Sequence, residues 1–321
     1  MTELAPLRDR LRAVVDLRIP GFLRSVPPGR VRQITFRERP VDAWFDEFVE
    51  RVVGAIGRHY LPVFRISDGE FTFSVGSRIP YPPPGGNPVL HYAREVLSYL
   101  RWRRFDTFLS GAPGHDLERY RGAEWRRLRA VYTAQLRELA RTGLLAVNLV
   151  RTPERFGERH HAAFLEWMDR ARIPVTEQNC YPFYFVYGLL NSSLRRRVYA
   201  GRRLLVVTSL TPAKQQAIES GLRAAGAASV QFRSVSGTRA MCDTVDLSGV
   251  EPPIDVVLIG AGVGAANVLT QVRQFGTLAI DAGHCLDLLA APEVAGQRDY
   301  TLPDEELERH AAGRHRDRRT A

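Results

Sequence analysis

Short apolar runs alternate with helix-length amphipathic stretches along most of this chain. That alternation predicts an α/β fold, a mainly parallel sheet with helices on both faces and a helical extension at the N-terminus. Three observations carry it. Apolar runs recur at 63–66, 144–150, 203–207 and 254–259. Stretches with apolar residues at helical spacing lie between them, as at 42–60, 115–141 and 212–225. Gly226 and Gly276 stand where the helices at 212–225 and 264–275 should stop.

The elements follow in order. In residues 1–41, Leu4, Leu7, Leu11, Val14 and Val15 fall at helical spacing with Arg8, Arg10 and Arg12 between them. This reads as an appended helix packed on the body, with an interfacial membrane anchor as the alternative. Pro20, Pro27 and Pro28 then break the pattern. Residues 42–60 form a helix with Trp44, Phe45, Phe48, Val52 and Ile56 on one face. After the strand 63–66, the proline- and glycine-rich stretch 81–88 is a surface loop, and helices are expected at 89–104 and 115–141. The alternating part adds a strand at 144–150, a helix at 158–171, and strands at 203–207, 230–233, 254–259 and 278–280. Helices at 212–225 and 264–275 lie between those strands. The tail from 301 to 321 is charged and reads as frayed or disordered, leaving 42–300 as the main domain.

The chain has 321 residues with 45% hydrophobic content, enough for a well-buried core. Its net charge of +10 comes almost wholly from arginine, Lys214 being the single lysine. Part of that bias reflects genome composition. The remaining positive excess favours anionic partners: nucleotide phosphates, nucleic acid or an anionic membrane surface. Cys180, Cys242 and Cys285 are scattered with no CxxC, which suits a reducing cytoplasm. No signal-peptide order is seen at the N-terminus, and no apolar run reaches the roughly 20 residues of a bilayer span. The expectation is a cytoplasmic protein, at most peripheral at the inner face of the membrane.

The most informative stretch is Arg65-Ile66-Ser67-Asp68-Gly69-Glu70. An apolar strand ends in two carboxylates separated by a glycine. In an extended or turn backbone, side chains two apart point the same way, and Gly69 lets the backbone approach a ligand. Two hard oxygen ligands on one spot suit Mg²⁺ or Mn²⁺ held against a diphosphate. Asp68 and Glu70 also read, more plainly, as caps of the following turn.

Ligands of open α/β sheets bind beyond the carboxyl ends of the strands. The residues just past each predicted strand are Ser67, Asp68 and Glu70; Arg151 and Thr152; Thr208 and Ser209; Gly260, Gly262 and Gly264; and Asp281, Gly283 and His284. Together they suit a metal-bound nucleotide diphosphate. His284 is a metal ligand or a phosphate contact, with Arg65 or Arg151 offsetting charge. The turn Gly260-Ala261-Gly262-Val263-Gly264-Ala265 also fits GxGxxA, with Asp281 near the spacing of about 20 residues expected for a ribose ligand. This sustains a second reading, an oxidoreductase using NAD(P) or a flavin. Only the tail follows the next strand, however, so the glycines suit helix–strand packing or a phosphate of another nucleotide equally well. A third reading, nucleic-acid binding, draws on the arginines and aromatics of 101–129. Asp106, Asp116, Glu118 and Glu124 interrupt that patch and rank it last. His160-His161 has no zinc partners at suitable spacing and reads as a helix surface.

Arg65-Ile66-Ser67-Asp68-Gly69-Glu70-Phe71 resembles the RfGDGE signature of the GT-D type of glycosyltransferase, a family first catalogued as a domain of unknown function. The strand 256–259 with its glycine turn, followed by Ile280-Asp281-Ala282-Gly283-His284, is similar to that family's closing strand-helix-strand and its Ile-Asp-x-Gly-His element. The likeness spans roughly residues 45 to 290, and its two ends are the specific parts. Ser67 stands where the family has glycine, the turn after Ile259 lacks the family's Pro-Thr, and Cys285 and Leu286 depart from the residues usual after the histidine.

The resemblance implies a Rossmann-like fold and a DxE motif binding a metal and a nucleotide-sugar, such as a UDP-sugar. Carried over by position, Asp68 and Glu70 are the DxE carboxylates, Arg65 is the arginine of the same signature, and Asp281, Gly283 and His284 are the closing element. Joined to the strand-end reading, this makes Asp68, Glu70 and His284 the expected catalytic and metal-holding set. Arg65, Ser67, Gly69, Arg151, Thr208, Gly260, Gly262, Asp281 and Gly283 are the expected donor contacts. The implied acceptor is a glycan, glycoprotein, lipid-linked or small molecule.

Overall fold

The computed structural model describes residues 41–75, 89, 122–147, 167–237 and 239–290. The expected N-terminal extension, the 81–88 loop, Arg151, His160, His161 and the charged tail lie outside the described residues, as do nearly all of the helix at 89–104 and most of that at 158–171.

Among the described residues, seven strands form one all-parallel sheet: β1 (Leu61–Ile66), β2 (Leu144–Val147), β3 (Cys180–Pro182), β4 (Arg203–Thr208), β5 (Ser229–Ser234), β6 (Val256–Gly260) and β7 (Leu278–Asp281). Their order across the sheet is β3-β2-β1-β7-β6-β4-β5. The strands at 61–66, 203–208, 256–260 and 278–281 fall on expected apolar runs. The helices are α1 (Val41–Ala55), α2 (Asp68–Val75), α3 (Gly122–Thr142), α4 (Tyr184–Asn191), α5 (Arg195–Tyr199), α6 (Pro212–Ala224), α7 (Ala265–Val272) and α8 (Cys285–Ala290).

Alternation along the strands explains the two cores. Phe64, Leu145, Leu205, Val257 and Ala279 face one side, where α3 and α7 cover them with Leu128, Tyr132, Leu136, Val268 and Leu269. Val63, Leu144, Leu204, Val256 and Leu278 face the other side, covered by α1, α4, α6 and α8. Aromatic residues fill the second layer. Phe185 meets Phe45 at 5.1 Å and Trp44 at 5.7 Å between ring centroids. The expected apolar face of α1 is this surface: Trp44, Phe45, Phe48, Val52 and Ile56 are all buried.

Three differences from expectation have plain causes. The helix expected over 264–275 is a 3₁₀ turn at Gly262–Gly264, then α7, then a second 3₁₀ turn at Arg273–Phe275 closed by Gly276 at φ +61°. The short strand β3 and the helix α4 were not foreseen. Every residue from Tyr184 to Leu190 is buried, so α4 has no polar face to set a helical period. The third difference concerns α2 and belongs to the site.

Candidate active site

The carboxyl ends of β1, β7, β6 and β4 lie along one edge of the parallel sheet. The chain leaves β4 outward to β5 and leaves β6 the opposite way to β7, so a switch point falls between Thr208 and Gly260. Such edges and switch points are where open α/β sheets take ligands.

At the end of β1 the backbone is not extended through the two carboxylates: Asp68 is the first residue of α2. The extended or turn backbone expected through this stretch is replaced by a helical one from Asp68 onward. The backbone N–H of Ser67 donates to Glu70 Oε2 at 2.9 Å. This is half of a capping box, the glutamate three residues into the turn reaching back to the residue that opens the helix. Ser67-x-x-Glu70 carried that signal in the sequence. Glu70 is buried, and Ser74 Oγ donates to its carbonyl at 2.5 Å.

Arg65, two residues before Ser67, is turned inwards and only 9% exposed. Its backbone N–H donates to Asp281 Oδ2 and its Nη2 to Asp281 Oδ1, both at 3.3 Å. Nη1 donates to the Tyr187 hydroxyl at 2.9 Å. The guanidinium carbon lies 5.0 Å from the Phe183 ring centroid and 5.4 Å from that of Tyr187, within cation–π range. Burial alone would draw protons off this guanidinium; Asp281, then Tyr187, Cys285 and Glu70, outweigh it, and Arg65 stays cationic. Burial raises the Asp281 carboxyl above its ordinary value, and Arg65 works against that rise. Gly283 has φ +43°, and a Cβ there would sit 1.6 Å from Arg65 Nη2, so only glycine leaves room for the guanidinium. Tyr187 and Phe183 escaped sequence reasoning because aromatic residues in a short buried helix read as core.

His284 opens the turn into α8. Its Nδ1 lies 2.8 Å from Asp287 Oδ2, and Asp287 Oδ1 accepts from Lys214 Nζ at 3.3 Å. The hydrogen bond from His284 holds the Asp287 carboxyl below its usual range. Neither Asp287 nor Lys214 was foreseen. The spacing of three between His284 and Asp287 would have signalled the pair once a helix was recognised there.

The glycine turn is filled by the protein's own atoms. A Cβ on Gly260 would meet Leu286 Cδ1 at 2.7 Å and Thr208 Oγ1 at 3.1 Å, and one on Gly264 would meet Ala240 Cβ at 2.3 Å. Thr208 Oγ1 accepts the N–H of Leu210 at 3.2 Å and bonds the Gly260 carbonyl at 3.3 Å. These glycines serve close packing of strand, turn and helix. Asp281, the ribose ligand of the dinucleotide reading, is 2% exposed and bonded to Arg65. The structure therefore brings Arg65, Ser67, Glu70, Asp281 and Gly283 together at the ends of β1 and β7. Thr208 and Gly260 lie along the same edge, and His284 adjoins Gly283. The side chain of Asp68 and all of Arg151 lie outside the description.

No family model and no curated protein matches the chain. It is similar to solved structures at low identity. One, described as "The highly conserved domain of unknown function 1792 has a distinct glycosyltransferase fold", is 14% identical, with 83% of this chain and 82% of that chain covered and a TM-score of 0.42. Another, "A New Glycosyltransferase (DUF1792) from Streptococcus sanguinis", is 17% identical over 78% of this chain and 82% of that chain, with a TM-score of 0.43. At this distance a likeness carries no functional assignment, and the site is read from its own residues.

Proposed function

We propose that this chain is a metal-dependent glycosyltransferase. It would move a sugar from a nucleotide-diphosphate sugar, in the first instance a UDP-sugar, to a glycan, glycoprotein, lipid-linked or small-molecule acceptor. One observation carries the reading. The two halves of the signature, 216 residues apart between Arg65 and Asp281, are in direct contact at the carboxyl edge of the central strands.

A metal fits this place under one condition. Among the described residues no three His, Cys, Asp or Glu side chains gather into a cage. A Mg²⁺-like ion shared with substrate phosphates needs only one or two carboxylates, with water and phosphate completing its shell. Ligating carboxylates are themselves hydrogen-bonded, so the bond from Ser67 to Glu70 Oε2 is compatible with a ligand role. Glu70 and Asp68 would hold the ion, with His284 as a further candidate. When bound, it neutralises the charge that develops on the diphosphate as the glycosidic bond breaks.

The chain's own residues do the rest. Ser67 and Glu70 fix the start of α2, which brings the backbone of Gly69 to the edge. The end of β4 at Thr208 and the turn through Gly260 and Gly262 form the neighbouring wall for the donor. No described helix is long and apolar enough to cross a membrane. A cytoplasmic site of action, with arginines drawing the protein to anionic membrane or acceptor, completes the proposal.

A thermal-shift panel of UDP, GDP, NAD⁺ and an oligonucleotide, each with and without Mn²⁺, tests it. Stabilisation by a nucleoside diphosphate only with Mn²⁺ is the expected result. Stabilisation by NAD⁺ without metal, or by the oligonucleotide alone, refutes it. Glu70→Gln keeps an oxygen to accept the Ser67 N–H and removes the charge. It should therefore remain folded and lose the Mn²⁺ effect.

A further inference from the structure

We propose that Arg65 is a positioning residue, clamped by Asp281, Tyr187 and the aromatic faces beside it, that aims the start of α2 without touching the donor. The inference rests on the glycosyltransferase reading and assigns Arg65 a role that a place in a phosphate-binding signature would not suggest. A phosphate ligand needs its guanidinium at the surface of the site. Here Nη1 and Nη2 are engaged by Tyr187 and Asp281, and the guanidinium carbon lies 5.0 Å from the Phe183 ring centroid and 5.4 Å from that of Tyr187. Gly283 completes the seat, since any Cβ there would overlap Nη2.

The clamp acts at short range on the carboxylate of the site. Asp281 grips both the backbone N–H and the side chain of Arg65, so it fixes the path of β1 as well as the guanidinium. Two residues on, the Ser67 N–H is held by Glu70. Three parts of the chain, the ends of β1 and β7 and the helix α4, are thereby joined through one side chain, and β1 runs on within two residues to the Ser67–Glu70 bond that starts α2. A planar, always-charged group that donates in two directions suits that task; a lysine ammonium does not reproduce it.

The experiment measures UDP binding by calorimetry, and Mn²⁺ binding by electron paramagnetic resonance, in wild type, Arg65→Lys, Asp281→Asn and the double variant. The expected result is a loss of about tenfold in Mn²⁺ affinity and Mn²⁺-enhanced UDP binding for each single variant, as for other groups that hold a ligand in place. UDP binding without metal should stay within about twofold of wild type, because the clamp touches no phosphate. The double variant should be no worse than the weaker single, since both break one clamp. Weaker metal-free UDP binding in Arg65→Lys, or wild-type Mn²⁺ affinity in Asp281→Asn, overturns the proposal. If these buried substitutions prevent folding, Tyr187→Phe removes only the hydroxyl that Nη1 donates to. It should weaken Mn²⁺ binding about threefold, the effect of roughly half a hydrogen bond to a charged group, and unchanged affinity overturns the proposal. A wild-type protein that binds UDP no better with Mn²⁺ refutes the functional reading itself, and this inference with it.

Discussion

Gly264→Ala tests whether the glycine turn is closed by the protein or held open for a phosphate. Gly264 has φ −71° and ψ −7°, a conformation that suits alanine, so backbone strain plays no part. A new Cβ would sit 2.3 Å from Ala240 Cβ, 2.6 Å from the Ala240 carbonyl carbon and 2.9 Å from the Met241 nitrogen. Carbon contacts are comfortable only near about 3.5 Å, so the 240–241 segment would have to retreat by roughly 1 Å. That segment is anchored by Asn267 Nδ2, which donates to the carbonyls of Ala240 and Asp243, both at 2.9 Å. Overpacking of this kind costs about 1–3 kcal/mol, and the stiffer unfolded chain of alanine returns about 0.4–1 kcal/mol. The expected net loss is about 1 kcal/mol, seen as a lower urea midpoint with an unchanged slope. Adding Ala240→Gly removes the 2.3 Å contact and leaves the 2.6 Å one with backbone, so it should restore only part of the loss. Equal or higher stability of Gly264→Ala, joined to lost nucleotide binding, would refute the packing argument in favour of an open phosphate turn.

Three more perturbations probe other parts of the fold. Gly283→Ala places a Cβ against Arg65 and forces φ +43° on an alanine. It should destabilise by more than about 2 kcal/mol in urea unfolding, through strain and a displaced buried charge together. Phe185→Ala empties the centre of the aromatic layer, where Phe185 is fully buried, and should cost about 3–5 kcal/mol by the same assay. Asp255 accepts the backbone N–H of Arg203 and its Nε and Nη2, and Arg203 holds its carboxyl below the ordinary range. A lowered folded value gives stability that is present above the unfolded value and lost as pH falls through the folded one. With Arg203 half exposed, Asp255→Asn should cost about 1 kcal/mol at pH 7, a difference that shrinks as pH drops below about 4. A cost that persists at low pH would show that the ion pair is not its source.

Much of the architecture was legible because burial imposes period and composition. The runs at 203–208 and 256–260 are apolar because both faces of a parallel strand are covered, and Gly226 at φ +98° ends α6 where a side chain would be strained. The elements that escaped are those where burial erased the period. α4 is apolar all round, and β3 has three residues, too few to show alternation.

The candidate site divides along the same line. Sequence alone determined which residue types stand at the strand ends, since Ser67, Asp68, Glu70, Asp281, Gly283 and His284 can be counted along the chain. It also held the local cap signal in Ser67-x-x-Glu70. Only the tertiary structure decided that Asp68 opens a helix, that Glu70 closes back on Ser67, and that Arg65 is buried. An arginine in isolation belongs at the surface, because desolvating its charge is unfavourable. Here β1 and β7 lie side by side, and that pairing sets the Asp281 carboxylate against Arg65. The helix α4, with Phe183 just before it, adds the hydroxyl and rings that make burial tolerable. Those partners come from positions more than 100 residues away, and no pattern within the signature itself could announce them.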